Sequence, residues 1–238
     1  MTKQWLVPVL AVTLAFLPAD ARAQKVLISG NSFDSSDTAL TGPLGTLGYD
    51  LTFTSSFNFG TANLSGFSAV WLDGFSQFSP GTPGNPGLSA ASLTSFMNGG
   101  GVVLVQNPGF GSEPLASYPF GSELSATFNY PPGENTIRIT NPASPVNAFL
   151  TGAGLSSWTP ASAYGVFASG IGSFSGITDN GTAGNWITVT RQVGAGSLIY
   201  TQQGISQSLV NQADDTAALQ FLRNAVGLAA IPEPNPTM

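Results

Sequence analysis

Short apolar runs that end in a polar residue or a glycine recur along the first half of the chain. Three of them, at 25–29, 68–73 and 101–105, are almost continuously apolar. Such runs predict strands that are covered on both faces, as in a parallel sheet. The segment 49–54 (YDLTFT) alternates between apolar and polar residues instead, and it predicts one further strand.

Helical spacing and a turn signal supply the remaining elements. Apolar residues recur every three or four positions after Ser89, which suits an N-cap, and again over 213–228, so both segments are predicted to be helices. The segments 186–190 and 197–201 are predicted to pair as an antiparallel hairpin, because a glycine-bearing turn separates them. Weaker patterns predict strands at 136–140 and 164–168 and a helical turn at 146–150.

This order of elements predicts a flavodoxin-like three-layer α/β sandwich. We expect a mostly parallel sheet that is extended by the antiparallel hairpin near the C-terminus. The sequence contains no internal repeat and no second domain boundary, so a single α/β domain is expected over 24–230.

Residues 1–23 have the features of a secretory signal peptide. Lys3 precedes an apolar run over 5–17, and the tripeptide at 21–23 (ARA) fits the rule for cleavage. The run is too short to span a hydrocarbon core of about 30 Å, which argues against a membrane anchor there. We therefore expect an exported protein that begins at Gln24 and is secreted, periplasmic or bound at the cell surface.

Composition limits the partners that such a protein can have. The chain has no Cys, so packing without disulfides must hold the exported fold. Its twelve Asp and Glu outnumber its six Lys and Arg, and the cations form no cluster, which makes nucleic acid a poor partner. The surface must instead be rich in Ser, Thr, Asn, Gln and Gly, a composition common among secreted proteins that work among polysaccharides.

The tail at 231–238 contains Pro232-Glu233-Pro234. This tripeptide resembles the motif of PEP-CTERM proteins, which Gram-negative bacteria with exopolysaccharide matrices export and sort by exosortase. In that family a transmembrane helix and a basic cluster follow the motif, whereas only four residues follow it here. We expect no membrane anchor from this tail, and a stiff proline-rich tail with no sorting role is the alternative.

Four segments resemble the class I glutamine amidotransferase-like superfamily, and within it the ThuA-like branch. They are KVLISG at 25–30, FSAVWLDG at 67–74, SLTSFMNGGGVVLVQN at 92–107 and VGAGSLIYTQQG at 193–204. The resemblance covers about 25 to 228 and implies the same flavodoxin-like fold.

The departures from that family concern its reactive residues. Amidotransferases carry a nucleophilic Cys in the loop after the fourth strand, where this chain has Gln106 and Asn107. The ThuA-like pattern places a His after the glycine of its last strand, where Ile205 follows Gly204. No His or Cys occurs in the chain, so neither a thiolate–imidazole pair nor a His-based metal site can form. We expect a scaffold without amidotransferase chemistry, with no cofactor and no bound metal.

The segment 30–34 (GNSFD) resembles the first block of SGNH-type esterases, which implies Ser32 as the nucleophile of a hydrolase. Those enzymes need a His to accept the serine proton, and a serine without a base is a weak nucleophile. The other interpretation is a turn in which Asn31, Ser32 or Asp34 caps the next helix.

Polar residues follow several predicted strands, whose ends meet at one edge of the sheet. Amides and carboxylates pair with sugar hydroxyls, and Phe75, Phe78 or Phe110 would be placed to stack on a sugar ring. These residues could equally satisfy the backbone groups of loops. The candidate ligand-binding residues are Asn31, Asp34, Asp73, Gln106, Asn107, Gln202 and Gln203.

A calcium site is a further hypothesis for the same edge. Asp34, Asp37 and Asp73 could supply the oxygen ligands that Ca²⁺ prefers. Their spacing matches no known calcium loop, however, and turn capping explains the first two equally well.

These observations predict an exported, non-catalytic binding or matrix protein of a Gram-negative bacterium. The expected partner is a polysaccharide or another component of the cell surface. The alternative function is a secreted SGNH-like esterase that uses Ser32.

Overall fold

The computed structural model describes residues 24–29, 41–42, 45, 48–54, 63–73, 90–107, 115–128, 134–158, 162–168, 170–211 and 215–229. The expected signal peptide, the 30–34 segment with Ser32 and the proline-rich tail lie outside the described residues. None of the described helices is both long and apolar enough to cross a membrane.

The described residues form a mixed sheet of ten strands. The strands are β1 (Lys25–Ser29), β2 (Asp50–Thr54), β3 (Ala69–Asp73), β4 (Val102–Gln106), β5 (Ala126–Phe128), β6 (Arg138–Ile139), β7 (Gly165–Phe167), β8 (Ser175–Asp179), β9 (Trp186–Val193) and β10 (Gly196–Thr201). The first half of the sheet is parallel, in the order β2-β1-β3-β4-β10, and antiparallel pairing then adds β9, β7 and β5. The parallel half has the strand order of flavodoxin-like folds, which confirms the predicted α/β class.

Four α-helices have both ends within the described residues: α1 (Ala90–Asn98), α2 (Gly152–Leu155), α3 (Ile205–Asn211) and α4 (Thr216–Val226). Residues 41, 42 and 45 are helical as well. Asp215 begins α4, because its carboxylate accepts hydrogen bonds from the backbone N–H groups of Ala217 and Ala218 at 2.9 and 3.0 Å. The predicted helix over 213–228 is thus shorter than expected, and α3 was not predicted. This helix has only seven residues, about two turns, so no long helical period marks it in the sequence.

The central strands bury side chains on both faces, as their continuous apolar runs predict. Trp71 and Leu104 point to the layer that contains α4, whereas Val70 and Val103 point to the layer that contains α1. The buried α4 residues are Ala218, Phe221, Leu222, Ala225 and Val226, and those of α1 are Leu93 and Met97. Each buried Leu, Val or Ile stabilises the fold by about 1.5–3 kcal/mol, so these two layers fix the sheet between them.

The second half of the chain departs most from the sequence prediction. The predicted strand at 136–140 is only the two-residue β6, and the turn expected at 146–150 is a 3₁₀ turn at Pro145–Asn147. The strands β5 and β8 were not predicted. In β8 a side chain at Gly176 would lie 2.1 Å from the indole of Trp186, so close packing explains a glycine inside a strand, where glycine is ordinarily unfavourable.

An ion pair at the surface joins the turn before β5 to β9. Arg191 Nη1 lies 2.6 Å from Glu123 Oε1, and its guanidinium carbon stacks 3.8 Å from the centroid of the Phe120 ring. Ser173 donates two hydrogen bonds to the other carboxylate oxygen, from its hydroxyl at 2.6 Å and its backbone N–H at 3.0 Å. The Ser173 hydrogen bonds, and then Arg191, lower the pKa of Glu123 from 4.5 to about 2.

This shift makes part of the stability depend on pH. Because the folded-state pKa of Glu123 is lowered, the ionised carboxylate contributes to the free energy of unfolding above pH 4.5. This contribution is lost as the pH falls towards 2. We expect the difference in free energy of unfolding between the wild type and Glu123→Gln to shrink over that window, and to be smaller at high salt. Urea denaturation at several pH values measures it, and a difference that does not change with pH would contradict the assignment.

Phe149 occupies a strained position on an exposed turn. Its side chain is 93% exposed and its backbone has a left-handed φ of 62°, which is unusual for a bulky residue. The turn is held in place by Asn224, whose side-chain amide donates to the carbonyl oxygens of Val146 at 2.9 Å and Ala148 at 2.7 Å. The surrounding hydrogen bonds therefore impose this conformation on Phe149.

We expect Phe149→Gly to be more stable than Phe149→Ala by about 1 kcal/mol, since only glycine adopts a positive φ without steric cost. Neither substitution removes buried contacts, so chemical denaturation of the two variants measures the free-energy cost of the left-handed backbone at this position. Equal stability of the two would show that the left-handed conformation is not retained in solution.

Candidate functional site at the carboxyl edge of the parallel sheet

The carboxyl ends of the central strands bring several predicted site residues together. Asp73 ends β3 and Gln106 ends β4, and they stand opposite each other in the parallel register. On the other side of β4, Gln106 stands opposite Thr201, the last residue of β10. Asp73 and Gln106 therefore meet as predicted. Other predicted residues of this edge lie outside the described residues: Asn31, Ser32, Asp34, Asp37, Phe75, Phe78 and Phe110.

The side-chain amide of Gln106 is the centre of a buried hydrogen-bond network. Its Nε2 donates to Asp73 Oδ1 at 3.1 Å, and it lies 2.7 Å from Ser206 Oγ and 3.3 Å from Gln207 Oε1. Its Oε1 accepts a hydrogen bond from the backbone N–H of Ser206 at 3.2 Å. Gln106 thus joins the ends of β3 and β4 to the first turn of α3.

Ser206 and Gln207 were not among the predicted site residues. They reach the edge because α3 begins directly after the polar segment that follows β10, and that helix is too short to be recognised in the sequence. The available signal was the run of polar residues from Gln202 to Gln207 with one buried apolar residue, Ile205. Such a run after a buried strand is a reason to look for a polar cluster.

Asn107, the residue after β4, has a left-handed backbone with φ of 48°. Its backbone N–H donates to the carbonyl oxygen of Thr201 at 2.7 Å, which continues the pairing of β4 with β10. The side chain is completely buried, and neither its Oδ1 nor its Nδ2 has a hydrogen-bond partner among the described residues. A buried polar group without a partner costs about 1–3 kcal/mol, so this position is unfavourable for stability.

Gln203 lies at the same edge but bonds to a different strand. Its Oε1 accepts a hydrogen bond from Thr188 Oγ1 of β9 at 3.3 Å, and its backbone N–H donates to Thr201 Oγ1 at 3.1 Å. Its Nε2 is buried and has no hydrogen-bond partner in the part of the chain that the structure describes. Gln202 is also buried, and its backbone is fixed by Ile187 on one side and Tyr164 on the other.

The Ser206 hydroxyl at this edge lies beside a weakly basic group. Ser206 Oγ donates to Gln207 Oε1 at 3.0 Å, and an amide oxygen is too weakly basic to remove the serine proton. Asp73 Oδ1 accepts a hydrogen bond from the amide of Gln106. Within the described ranges, no three His, Cys, Asp or Glu side chains lie together. Two of the three carboxylates in the calcium hypothesis lie outside those ranges.

The sequence matches no protein-family model and no curated protein. Among solved structures, the fold resembles a ThuA-like protein from Bacteroides uniformis, with a TM-score of 0.57 at 15% identity over 89% of this chain and 94% of that one. It also resembles a protein assigned to GMP synthase from Thermoplasma acidophilum, with a TM-score of 0.52 at 12% identity over 87% of this chain and 94% of that one.

A third similar structure is PurLQS from Thermotoga maritima, with a TM-score of 0.52 at 12% identity over 86% of this chain and 98% of that chain. At identities this low, the likeness shows a shared fold and no more. That fold is the flavodoxin-like α/β fold that the sequence resemblance implies.

We expect Gln106→Ala to lower the free energy of unfolding by about 3 kcal/mol, because it leaves the partners of the amide unsatisfied and opens a cavity. Urea denaturation measures the change. Gln192→Ala is the matched control, since Gln192 is an exposed glutamine on β9 and its loss should have little effect. Similar values for the two variants would mean that the Gln106 network does not fix the edge.

Proposed function

We propose that this chain is an exported, non-catalytic binding protein on an amidotransferase-like scaffold, which takes an uncharged, hydroxyl-bearing ligand such as a saccharide at the carboxyl edge of its sheet. The observation that carries the proposal is the side-chain amide of Asn107. It is buried, it follows the central strand on a left-handed backbone, and it has no hydrogen-bond partner among the described residues.

The chemistry of the neighbouring groups supports this kind of ligand. The amide of Asn107 offers one acceptor and two donor hydrogens, and Gln203 Nε2 offers further donors. Sugar hydroxyls both donate and accept, so they match amides without requiring a charge. Each such hydrogen bond contributes about 1 kcal/mol net, and it also removes the penalty of an unsatisfied buried group.

The residues at this edge also support a non-catalytic role. The chain has no Cys and no His, and the Ser206 hydroxyl is hydrogen-bonded to the side-chain amides of Gln106 and Gln207. Retention of a strained backbone at Asn107 without reactive chemistry is consistent with a position kept for recognition.

Export and association with an extracellular matrix are parts of the proposal that rest on the sequence. The signal-peptide pattern at 1–23 supports export, and the Pro-Glu-Pro tripeptide at 232–234 supports sorting to the cell surface. The low content of charged residues, 8%, is compatible with work among neutral polysaccharides.

The test compares Asn107→Gly with the wild type. We expect the variant to lose saccharide-dependent thermal stabilisation while its own melting temperature stays equal or rises by about 2 °C, because glycine relieves the left-handed strain and removes the unsatisfied amide. Differential scanning calorimetry with neutral oligosaccharides measures both quantities, and Gln192→Ala serves as the control. Unchanged stabilisation in the Asn107 variant would contradict binding at this edge.

The alternative, an esterase that uses Ser32, is tested in parallel with p-nitrophenyl acetate. We expect no turnover above that of buffer. Hydrolysis that disappears in Ser32→Ala would overturn the non-catalytic assignment and establish the esterase.

A further inference from the structure

We propose a second binding site, for a neutral saccharide, at the opposite edge of the sheet, where β3 and β4 begin. A groove of about 470 Å³ opens there between the turn that precedes β3 and the C-terminal end of α1. Its volume is within the range of about 300–1,000 Å³ that is typical of ligand sites. Two aromatic residues, Phe67 and Phe96, lie in its wall together with Asn63, several serines and the run of three glycines at 99–101.

Backbone hydrogen bonds hold both walls of this groove in place. On one wall, Asn63 Oδ1 accepts from the N–H of Ser65 at 2.9 Å, and the N–H of Phe67 donates to the carbonyl oxygen of Leu64 at 3.2 Å. Ser68 then joins the sheet by donating its N–H to the carbonyl oxygen of Lys25 at 2.8 Å. This wall is therefore an ordered turn anchored to β1.

The other wall is the end of α1 and the glycine run that follows it. The N–H groups of Gly99 and Gly101 both donate to the carbonyl oxygen of Phe96, at 3.2 and 3.1 Å. A side chain at Gly101 would lie 2.3 Å from the Phe96 ring, so the ring packs directly on the glycine backbone. The Phe96 ring thus has a fixed position beside the groove.

The aromatic rings are only partly buried, and both contribute to the groove. The ammonium group of Lys25 lies 5.0 Å from the centroid of the Phe67 ring, at the margin of the site. The C–H faces of a sugar ring pack on aromatic rings in the way that other apolar surfaces do. Two partly exposed aromatic residues in the lining therefore suit the apolar face of a pyranose.

The polar part of the lining selects against charged and purely apolar ligands. None of the twelve described lining residues has an ionisable side chain, so an ion inside the groove would lose hydration without a counter-charge from the lining. The Lys25 ammonium lies against the Phe67 ring at the margin and is not part of that lining. A purely apolar ligand would cover the exposed hydroxyls of Ser65 and Ser95 and remove them from water. A neutral saccharide has both the hydroxyls and the apolar faces that this lining requires.

This groove is independent of the carboxyl edge. The five residues of β4 separate the two edges by roughly 16 Å, so one small ligand cannot occupy both sites. Failure of binding at Asn107 would leave the groove proposal intact, and the reverse also holds.

The test titrates the ¹⁵N-labelled protein with neutral tetrasaccharides based on glucose, mannose and galactose, and with tetragalacturonic acid as the charged counterpart. We expect a neutral probe to shift the amide signals of Ser65, Ser95 and Gly99 to Gly101. Phe67→Ala should raise the dissociation constant about tenfold. Ser95→Arg, at an exposed helical position where the fold tolerates a long side chain, should fill the groove and abolish the shifts.

Phe149→Ala is the matched control, because it removes an exposed aromatic residue that does not line the groove. It should leave the dissociation constant unchanged. The proposal is overturned if no neutral probe shifts these signals, if only the charged probe does so, or if Ser95→Arg binds as the wild type does. Shifts confined to Asn107 and Gln203 would also overturn it, while supporting the proposed function at the other edge.

Discussion

The organisation of the carboxyl edge depends on one buried side chain, the amide of Gln106. A buried amide must find partners for both its oxygen and its N–H groups, because leaving them unsatisfied costs several kcal/mol. Gln106 finds them in Asp73 at the end of β3 and in Ser206 at the start of α3. The need to satisfy this amide therefore fixes the relative positions of two strands and a helix. The same arrangement fixes the position of Asn107, the residue after β4, and its left-handed backbone.

The parallel half of the sheet was predictable because its cause is local. Runs such as 25–29 and 102–105 are apolar at consecutive positions, and a segment of that kind is stable only between two layers. The hairpin of β9 and β10 was predictable for a similar reason, since a glycine at 194 with a φ of 57° forms its two-residue turn. The meeting of Asp73 with Gln106 then followed from topology alone.

The parts that could not be predicted have causes that are distant in the sequence. The first turn of the helix Ile205–Asn211 is held in place by Gln106, which precedes Ser206 by a hundred residues. Gly176 lies within a strand because Trp186 needs the space above it. The left-handed backbone of Asn107 was equally hidden, since no local turn signal distinguishes it from an ordinary residue after a strand. Tertiary packing determines the structure in each of these cases, and the intrinsic helix and strand propensities of the local residues do not reveal it.

The groove beside Phe67 and Phe96 has a lining without ionisable groups, and this has a consequence for the kinetics of association. The lining itself exerts no attraction on a charged ligand, so encounter with a neutral saccharide relies on diffusion and orientation. For the same reason, neither salt nor the acidity of the medium would alter the rate through this lining. The association rate at such a groove therefore stays the same when the ionic composition of the surroundings changes. Selectivity between ligands then comes from differences in their dissociation rates.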